Sequence, residues 1–386
     1  MPIRNRFAQM LPEIADWRQH IHAHPELMYD THATAGFVAE KLRSFGCDDV
    51  VEGIGRTGVV GLIRGKAPGD RVVGLRADMD ALPIEEATGL PYASTVPGRM
   101  HACGHDGHTA MLLGAAKYLA ETRNFAGAVA VIFQPAEEGG AGGKAMVEDG
   151  LMERFGIREV WGMHNWPGQP AGRFAIRPGP FFAATDEFWI TVTGRGGHAA
   201  KPHETVDPVV VGSAIVLALQ TIASRNADPV SQVVVSVTNF RSGTGAHNVI
   251  PQKAVLNGTV RALDDAVRAL AERRMREIAV GIAAAHGAEA AVEYRRGYPV
   301  MANHAEETGI AAEVARAVAG DCAEAPFVMG GEDFAYMLEA RPGAYILVGN
   351  GDTAPVHHPE YNFNDEVIPA GCSWWAELVE RRLPLS

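Results

Sequence analysis

The 386-residue chain has only four cysteines, Cys47, Cys103, Cys322 and Cys372, scattered widely along it. That scatter gives no disulfide framework and fits a reducing cytoplasm. The chain also lacks an excess of basic residues. A net charge of −12 argues against nucleic acid or an anionic membrane as a partner, and otherwise speaks only for solubility. No apolar run reaches the roughly 18 to 20 residues that a membrane span needs. The N-terminus, MPIRNRFAQMLPEIADWRQHIHAHPEL, has no continuous apolar core and reads as an amphipathic helix, not a signal peptide. Internal repeats and low-complexity linkers are absent as well.

What is present describes a soluble globular protein, with 47% hydrophobic and 21% charged residues. Its length exceeds one ordinary core, so two domains are expected. From the N-terminus to residue 184, apolar β-rich runs end in loops of Asp, Glu, His and Gly. RVVGLRADMDALP leads to Asp78 and Asp80, GAVAVIFQPAEEGGAGG to Glu137 and Glu138, and VWGMHNWP to His164. GHTAMLLGAAKYLAETR reads as a helix between them. The same style returns at residues 297–386, where AYILVGNGDTAPVHHPEYNFND leads to His357 and His358. Strands alternating with helices predict an α/β domain with a mostly parallel sheet, and ligands there bind outside the carboxyl ends of strands. Residues 185–296 differ. Their order β-α-β-β-α-β predicts an inserted ferredoxin-like α+β lid or dimerisation domain.

The loop MHACGHDGHTAM concentrates Cys103, His101, His105 and His108 around two glycines. A lone buried Cys is usually inert packing and a lone His usually a hydrogen-bonded loop residue. The cluster is different, because Cys103-Gly104-His105 presents a thiolate and an imidazole on one tight turn. Zinc accepts both. Further donors stand at other strand ends. An exposed Glu pair is ordinarily just solvated, but Glu137-Glu138 sit between an apolar strand and a Gly-rich loop. One carboxylate of such a pair can bind metal while its neighbour holds a water, as a general base must. His164 and His357 complete a set of about five donors, too many for one tetrahedral zinc and suited to two ions about 3.5–4 Å apart. Two other classes compete with this reading. Cys103 and His105 could be a nucleophile and its base, though that leaves Glu137, Glu138, His164 and His357 unexplained. Alternatively, the chain could be a non-enzymatic metal-binding protein.

The loops RADMDALP, MHACGHDGHTAM, FQPAEEGGAGG, MHNWP, GRGGHAAKPH, HNVIP and GGEDF, with VHHPEYNFND, occur in order over nearly the whole chain. Together they resemble the aminoacylase-type dinuclear metallo-amidohydrolases, and within them the branch of hippurate hydrolases and hydrolases of indole-acetyl-amino-acid conjugates. The resemblance implies two divalent ions per subunit (Zn, Mn, Co or Ni) held by Cys103, His105, Glu138, His164 and His357. It implies that Glu137 is the general base and that Asp80 orients a ligand. Asp78 departs from the wider superfamily, whose peptidases carry a metal-binding His there. The resemblance further implies that His198 polarises the scissile carbonyl, often from a partner subunit, and that Asn248 and Arg261 contact substrate. Arg261 could equally be a surface charge balancing Asp264 or Asp265. His101 and His108 are expected to support the ligands or start the helix, and the His-x-Pro spacing selects His357 over His358. His20, His22 and His24 are read as structural and the six tryptophans as core. The implied activity is hydrolysis of N-acyl amino acids, in a homodimer or larger oligomer joined through the inserted domain. Dipeptidase, carboxypeptidase and N-acetyl-diaminopimelate deacetylase activities are the alternatives within the superfamily.

Overall fold

The computed structural model describes residues 5–385. The first four residues of the expected N-terminal helix lie outside that range. From Asn5 the helix runs to Ala23 and buries Phe7, Met10, Ile14, Trp17 and Ile21 along one face. This i, i+3, i+4, i+7 stripe is what an amphipathic helix needs to pack on a core.

The chain divides into two compact units. The first runs through Gly179 and takes up Ala302–Pro326 and the chain from Asp333 onward. Its eight-stranded sheet has the order Asp49–Ile54, Gly58–Arg64, Ala126–Gln134, Ala67–Asp78, Ile157–Pro167, Gly343–Gly351, Phe174–Ile176, Ala323–Glu324. The four middle strands, Ala126–Gln134 to Gly343–Gly351, are mutually parallel, and the Asp49–Ile54 and Gly58–Arg64 strands are antiparallel additions. Val73, Leu75, Val129, Val131, Ile132 and Ile346 on these strands are fully buried. Such near-continuous apolar runs are the mark of a sheet covered on both faces.

The helix His105–Thr122 is buried along almost its entire length. A Cβ on Gly107 would lie 2.2 Å from the Phe363 ring, and one on Gly114 would lie 2.6 Å from Ile14. The glycines therefore let neighbouring elements approach the helix closely. Four tryptophans, Trp17, Trp161, Trp374 and Trp375, are core as expected. Trp166 and Trp189 are only half-buried; Trp189 faces outward in the strand alternation and lies under the Arg295 guanidinium at 4.5 Å.

The second unit comprises Pro180–Met301 and Phe327–Glu332. The latter segment is tied in because the Ala183 amide donates to Val328 O at 3.0 Å and to Gly330 O at 2.9 Å. Its antiparallel sheet has the order Val233–Ser242, Lys253–Ala262, Ala184–Thr193, Glu289–Arg296. Phe188, Ile190 and Val192 alternate inward and meet Ile215 and Leu219 of one helix and Met275 and Ala279 of another. Those helices, Pro208–Leu219 and Asp265–Ala285, begin on aspartate caps, Asp207 accepting from the Val209 amide and Asp264 from the Val267 amide.

One expectation needs correction. By length and composition, Pro208–Asn226 is apolar enough to cross a membrane, with 19 residues and a mean hydropathy of 1.5. Ser213, Gln220 and Thr221 interrupt it, so a search for unbroken apolar runs misses it. A single such helix is weak evidence for a span, because core helices of folded proteins pass the same test.

Candidate metal centre

The chemistry-bearing side chains of the first unit gather beyond the carboxyl ends of its parallel strands, where loops must leave the sheet. Asp78 ends the strand Ala67–Asp78, Glu137 and Glu138 follow Ala126–Gln134, and His164 lies near the end of Ile157–Pro167. His357 follows Gly343–Gly351 by six residues. Cys103 and His105 flank Gly104, which has φ +90° and starts the buried helix. A Cβ there would sit 2.2 Å from Asn165 Nδ2 and 2.4 Å from Tyr361 Oη. Only glycine therefore combines that backbone conformation with that approach.

Donor atoms from Cys103, His105 and His164 lie within 4.8 Å of one another, and so do those of Cys103, Glu138 and His357. Two further groups, His105–Glu137–Glu138 and Asp78–His105–His108, meet the same distance. All five sequence-derived ligand candidates are thus brought together, with Glu137 beside them.

Hydrogen bonds fix the imidazole orientations. His105 Nδ1 donates to Asp80 O at 2.8 Å, and His164 Nδ1 donates to Asn165 O at 2.5 Å. That leaves Nε2 of each ring facing the other donors, free to offer a lone pair when the ring is neutral, and His164 Nε2 lies 3.4 Å from Cys103 Sγ. Histidines that ligate metals are typically oriented in this way, by donating their other ring N–H to a carbonyl. His105 Nε2 and Glu138 Oε1 are buried with no hydrogen-bond partner. Glu138 Oε1 lies 3.3 Å from His357 Nε2, an ion-pair contact without hydrogen-bond geometry. Buried polar atoms are seldom left unpaired. Unpaired lone pairs beside a thiol and two further imidazoles fit a divalent cation of borderline softness.

Asp80 accepts the backbone amides of Glu137 at 3.0 Å and Glu138 at 3.1 Å, so it fixes the loop bearing both glutamates as well as bordering His105. That loop turns through Ala136 at φ +53°, an uncommon conformation for a residue with a Cβ. Burial would raise Asp78, but His105, Arg76 and His108 hold it well below the usual carboxylate range. Burial pushes the Cys103 thiol up, with Glu138 adding to the effect. Contacts with Cys103 and Glu138 push His357 up to about 10.

His108 Nδ1 lies 2.6 Å from Asp78 Oδ1 and its Nε2 accepts from Asn165, so it supports the site from behind. His101 is fully buried with neither ring nitrogen bonded, and burial lowers it to about 3. His22 is buried against Asp106, whereas His20 and His24 are exposed. His358 is exposed and accepts the Glu360 amide. Sequence reading missed Asn165 and the ion pair of Arg76 with Asp333. The available signals were a polar residue directly after His164 and an arginine inside an apolar strand.

His198, Asn248 and Arg261 belong to the second unit. His198 is exposed on a two-residue strand that pairs with Val249–Ile250, and Asn248 O accepts the Ala199 amide at 3.0 Å. These two therefore share one ribbon. Arg261 is half-buried, donating to Thr259 Oγ1 and Val260 O. It makes no ion pair with Asp264 or Asp265 among the described residues. Asp264 caps a helix, and Asp265 lies 4.0 Å from Arg268.

Comparison with known proteins identifies the family. The model for peptidase family M20/M25/M40 matches residues 74–381. The chain is 43% identical over 385 residues to a hippurate hydrolase of Campylobacter jejuni, covering 97% of this chain and 99% of the relative. It is 41% identical to thermostable carboxypeptidase 2 of Saccharolobus solfataricus, covering 96% of each. Among solved structures, the Bacillus subtilis YXEP protein, described as a dinuclear metal-binding peptidase, superposes with a TM-score of 0.86 at 34% identity, covering 97% of this chain and 99% of that one.

Proposed function

This chain belongs to peptidase family M20/M25/M40 and is a metal-binding hydrolase, and on that premise we propose that it cleaves the amide bond of N-acyl amino acids. Substrates of hippurate, N-acetyl or indole-acetyl type would yield a carboxylic acid and a free amino acid. The observation that carries this reading is the pair of donor triads sharing Cys103, one with His105 and His164 and the other with Glu138 and His357. Two triads joined at one thiolate suit two divalent ions, of zinc, manganese, cobalt or nickel. When bound, such ions acidify a water molecule and stabilise charge that develops on a carbonyl oxygen.

The chain's own groups supply the rest. Glu137, buried beside Glu138 and held through its backbone by Asp80, accepts the proton of the attacking water. It then returns that proton to the departing amine nitrogen. His198 donates to the carbonyl oxygen as negative charge builds there. Asn248 and Arg261 contact the substrate, and the guanidinium of Arg261 suits a carboxylate.

The second unit supports a homodimer. The strand Val233–Ser242 is a sheet edge. Val210 and Leu217 on the helix Pro208–Leu219 are 56% and 75% exposed, apolar surface available for a second subunit to cover. The four cysteines, all free, suit a cytoplasmic setting.

A Cys103 nucleophile is disfavoured, because it leaves Glu138, His164 and His357, whose donor atoms gather with its own, without a role. Peptidase action is the second reading, favoured by the likeness to the Saccharolobus carboxypeptidase. The test is a hydrolysis panel of N-acyl amino acids and dipeptides, using metal-free protein reconstituted with single metals. Release of amino acid from an N-acyl substrate, abolished by chelator, is expected. Cleavage of dipeptides alone would favour the peptidase reading, and turnover undiminished by complete metal removal would contradict both.

A further inference from the structure

Asn165 follows His164 on the strand Ile157–Pro167 and is fully buried. Four of its polar groups have partners at the candidate metal centre or just behind it. The side-chain Nδ2 donates to Cys103 O at 2.6 Å and to His108 Nε2 at 3.0 Å. The side-chain Oδ1 accepts the Tyr361 hydroxyl at 2.6 Å. The backbone amide donates to the same His108 Nε2 at 2.9 Å, and the backbone carbonyl accepts from His164 Nδ1 at 2.5 Å.

These bonds fix more than one residue's orientation. Two N–H groups converge on His108 Nε2, so that nitrogen carries the lone pair and Nδ1 carries the proton. Nδ1 then donates to Asp78 Oδ1 at 2.6 Å. The Tyr361 hydroxyl, by donating to Oδ1, sets which end of the Asn165 amide faces Cys103. Gly104 is the counterpart of this contact, since any side chain there would collide with the Asn165 amide and the Tyr361 hydroxyl.

We infer that Asn165 is the positioning residue of the metal centre, holding Cys103 through its side-chain amide and His164 through its backbone carbonyl. The inference rests on the reading of Cys103 and His164 as ligands. Asn165 touches neither metal nor substrate and acts through those two side chains. A residue that only filled the core would need neither the matched donors and acceptors nor the glycine opposite.

The test uses the full chain loaded with Co²⁺, whose thiolate-to-cobalt absorption reports the Cys103 bond. Asn165→Asp keeps the size but sets a carboxylate oxygen against two acceptors, Cys103 O and His108 Nε2. Removing such support costs about 10- to 100-fold in metal affinity or activity. The expected result is a kcat lowered within that range with KM little changed, and a weakened or shifted thiolate band. The thermal midpoint of the metal-free variant separates this from simple destabilisation. An Asn165→Asp protein with wild-type kcat and an unaltered band overturns the inference, whatever its midpoint. Should that variant not fold, Tyr361→Phe decides, because it removes only the hydroxyl that orients the amide. A smaller loss of kcat with a shifted band supports the inference, and wild-type values of both overturn it. Absence of a thiolate band in the wild-type protein overturns the ligand reading and this inference with it. A normal wild-type band that neither variant alters overturns the inference alone.

Discussion

Most candidate functional residues of the first unit are buried and held in place, whereas two of the three in the second are exposed; His357 in the first and the half-buried Arg261 in the second depart from that contrast. In the first, Asp78, Asp80, His105, His108 and His164 are all buried and tied to neighbours on other loops. In the second, His198 and Asn248 are exposed, and among the described residues the His198 ring bonds only to the Ala200 amide two residues on, at 3.1 Å. Orientation in the first unit is set at folding. Groups converging on one point cost no reorganisation when charge develops there, which is where preorganised electrostatics is strongest. The second unit presents side chains with unused bonding capacity, suited to partners that arrive with substrate or with another subunit.

The buried site should be most sensitive to change at Glu137. Glu137→Gln keeps the shape of the buried loop and removes the proton acceptor. Turnover should fall by about 10²- to 10⁴-fold, the usual contribution of a general base, with metal content unchanged by elemental analysis. Near-normal turnover with metal bound would place the base elsewhere.

Next comes the exposed side. His198→Ala should lower kcat by on the order of 10²- to 10³-fold, as for loss of one oxyanion donor, again without loss of metal. If the histidine serves a partner's site, mixing Glu137→Gln with His198→Ala subunits restores activity. Random reassortment makes half the dimers mixed, each with one of two sites intact, so about a quarter of wild-type activity returns. No recovery after confirmed subunit exchange would place His198 in its own chain's mechanism.

The smallest expected effect concerns stability. Burial alone would lower His22, but its bonds to Asp106 and Glu86 raise it to about 9. The folded value thus lies above the unfolded value of about 6.5. His22 therefore contributes stability that is fully present below about pH 6.5 and is lost as pH rises toward 9. Thermal midpoints should fall by a few degrees over that interval in the wild-type protein, and this component of the slope should vanish in His22→Gln. Equal slopes in the two proteins would remove His22 from the account.

The same contrast explains what could be read from the sequence. Asp78, Glu137, Glu138 and His164 were legible because each follows an apolar run, and parallel strands bring their carboxyl ends to one side. The parallel core and the split β-α-β-β-α-β order were legible from periodicity alone. Asn165 and the Arg76–Asp333 pair were not. Their partners lie far away in sequence, Asn165 bonding to residue 361 and Arg76 to residue 333, and no local pattern encodes such contacts. His198, Asn248 and Arg261 carried no local signal beyond a Gly-Gly turn and a strand position, and only the family resemblance singled them out. The apolar helix Pro208–Asn226 was underestimated because scattered polar residues break its run without lowering its mean hydropathy enough to matter.

Two triads sharing Cys103 are proposed to hold two ions. Elemental analysis tests this most directly, on protein stripped by chelator, reconstituted with saturating Mn²⁺ or Zn²⁺ and freed of loose metal. The expected result is two ions per chain in the wild-type protein and fewer than one in Cys103→Ala, since that change removes a donor from both triads at once. No metal above background in the wild-type protein, or two ions retained by Cys103→Ala, would contradict the claim.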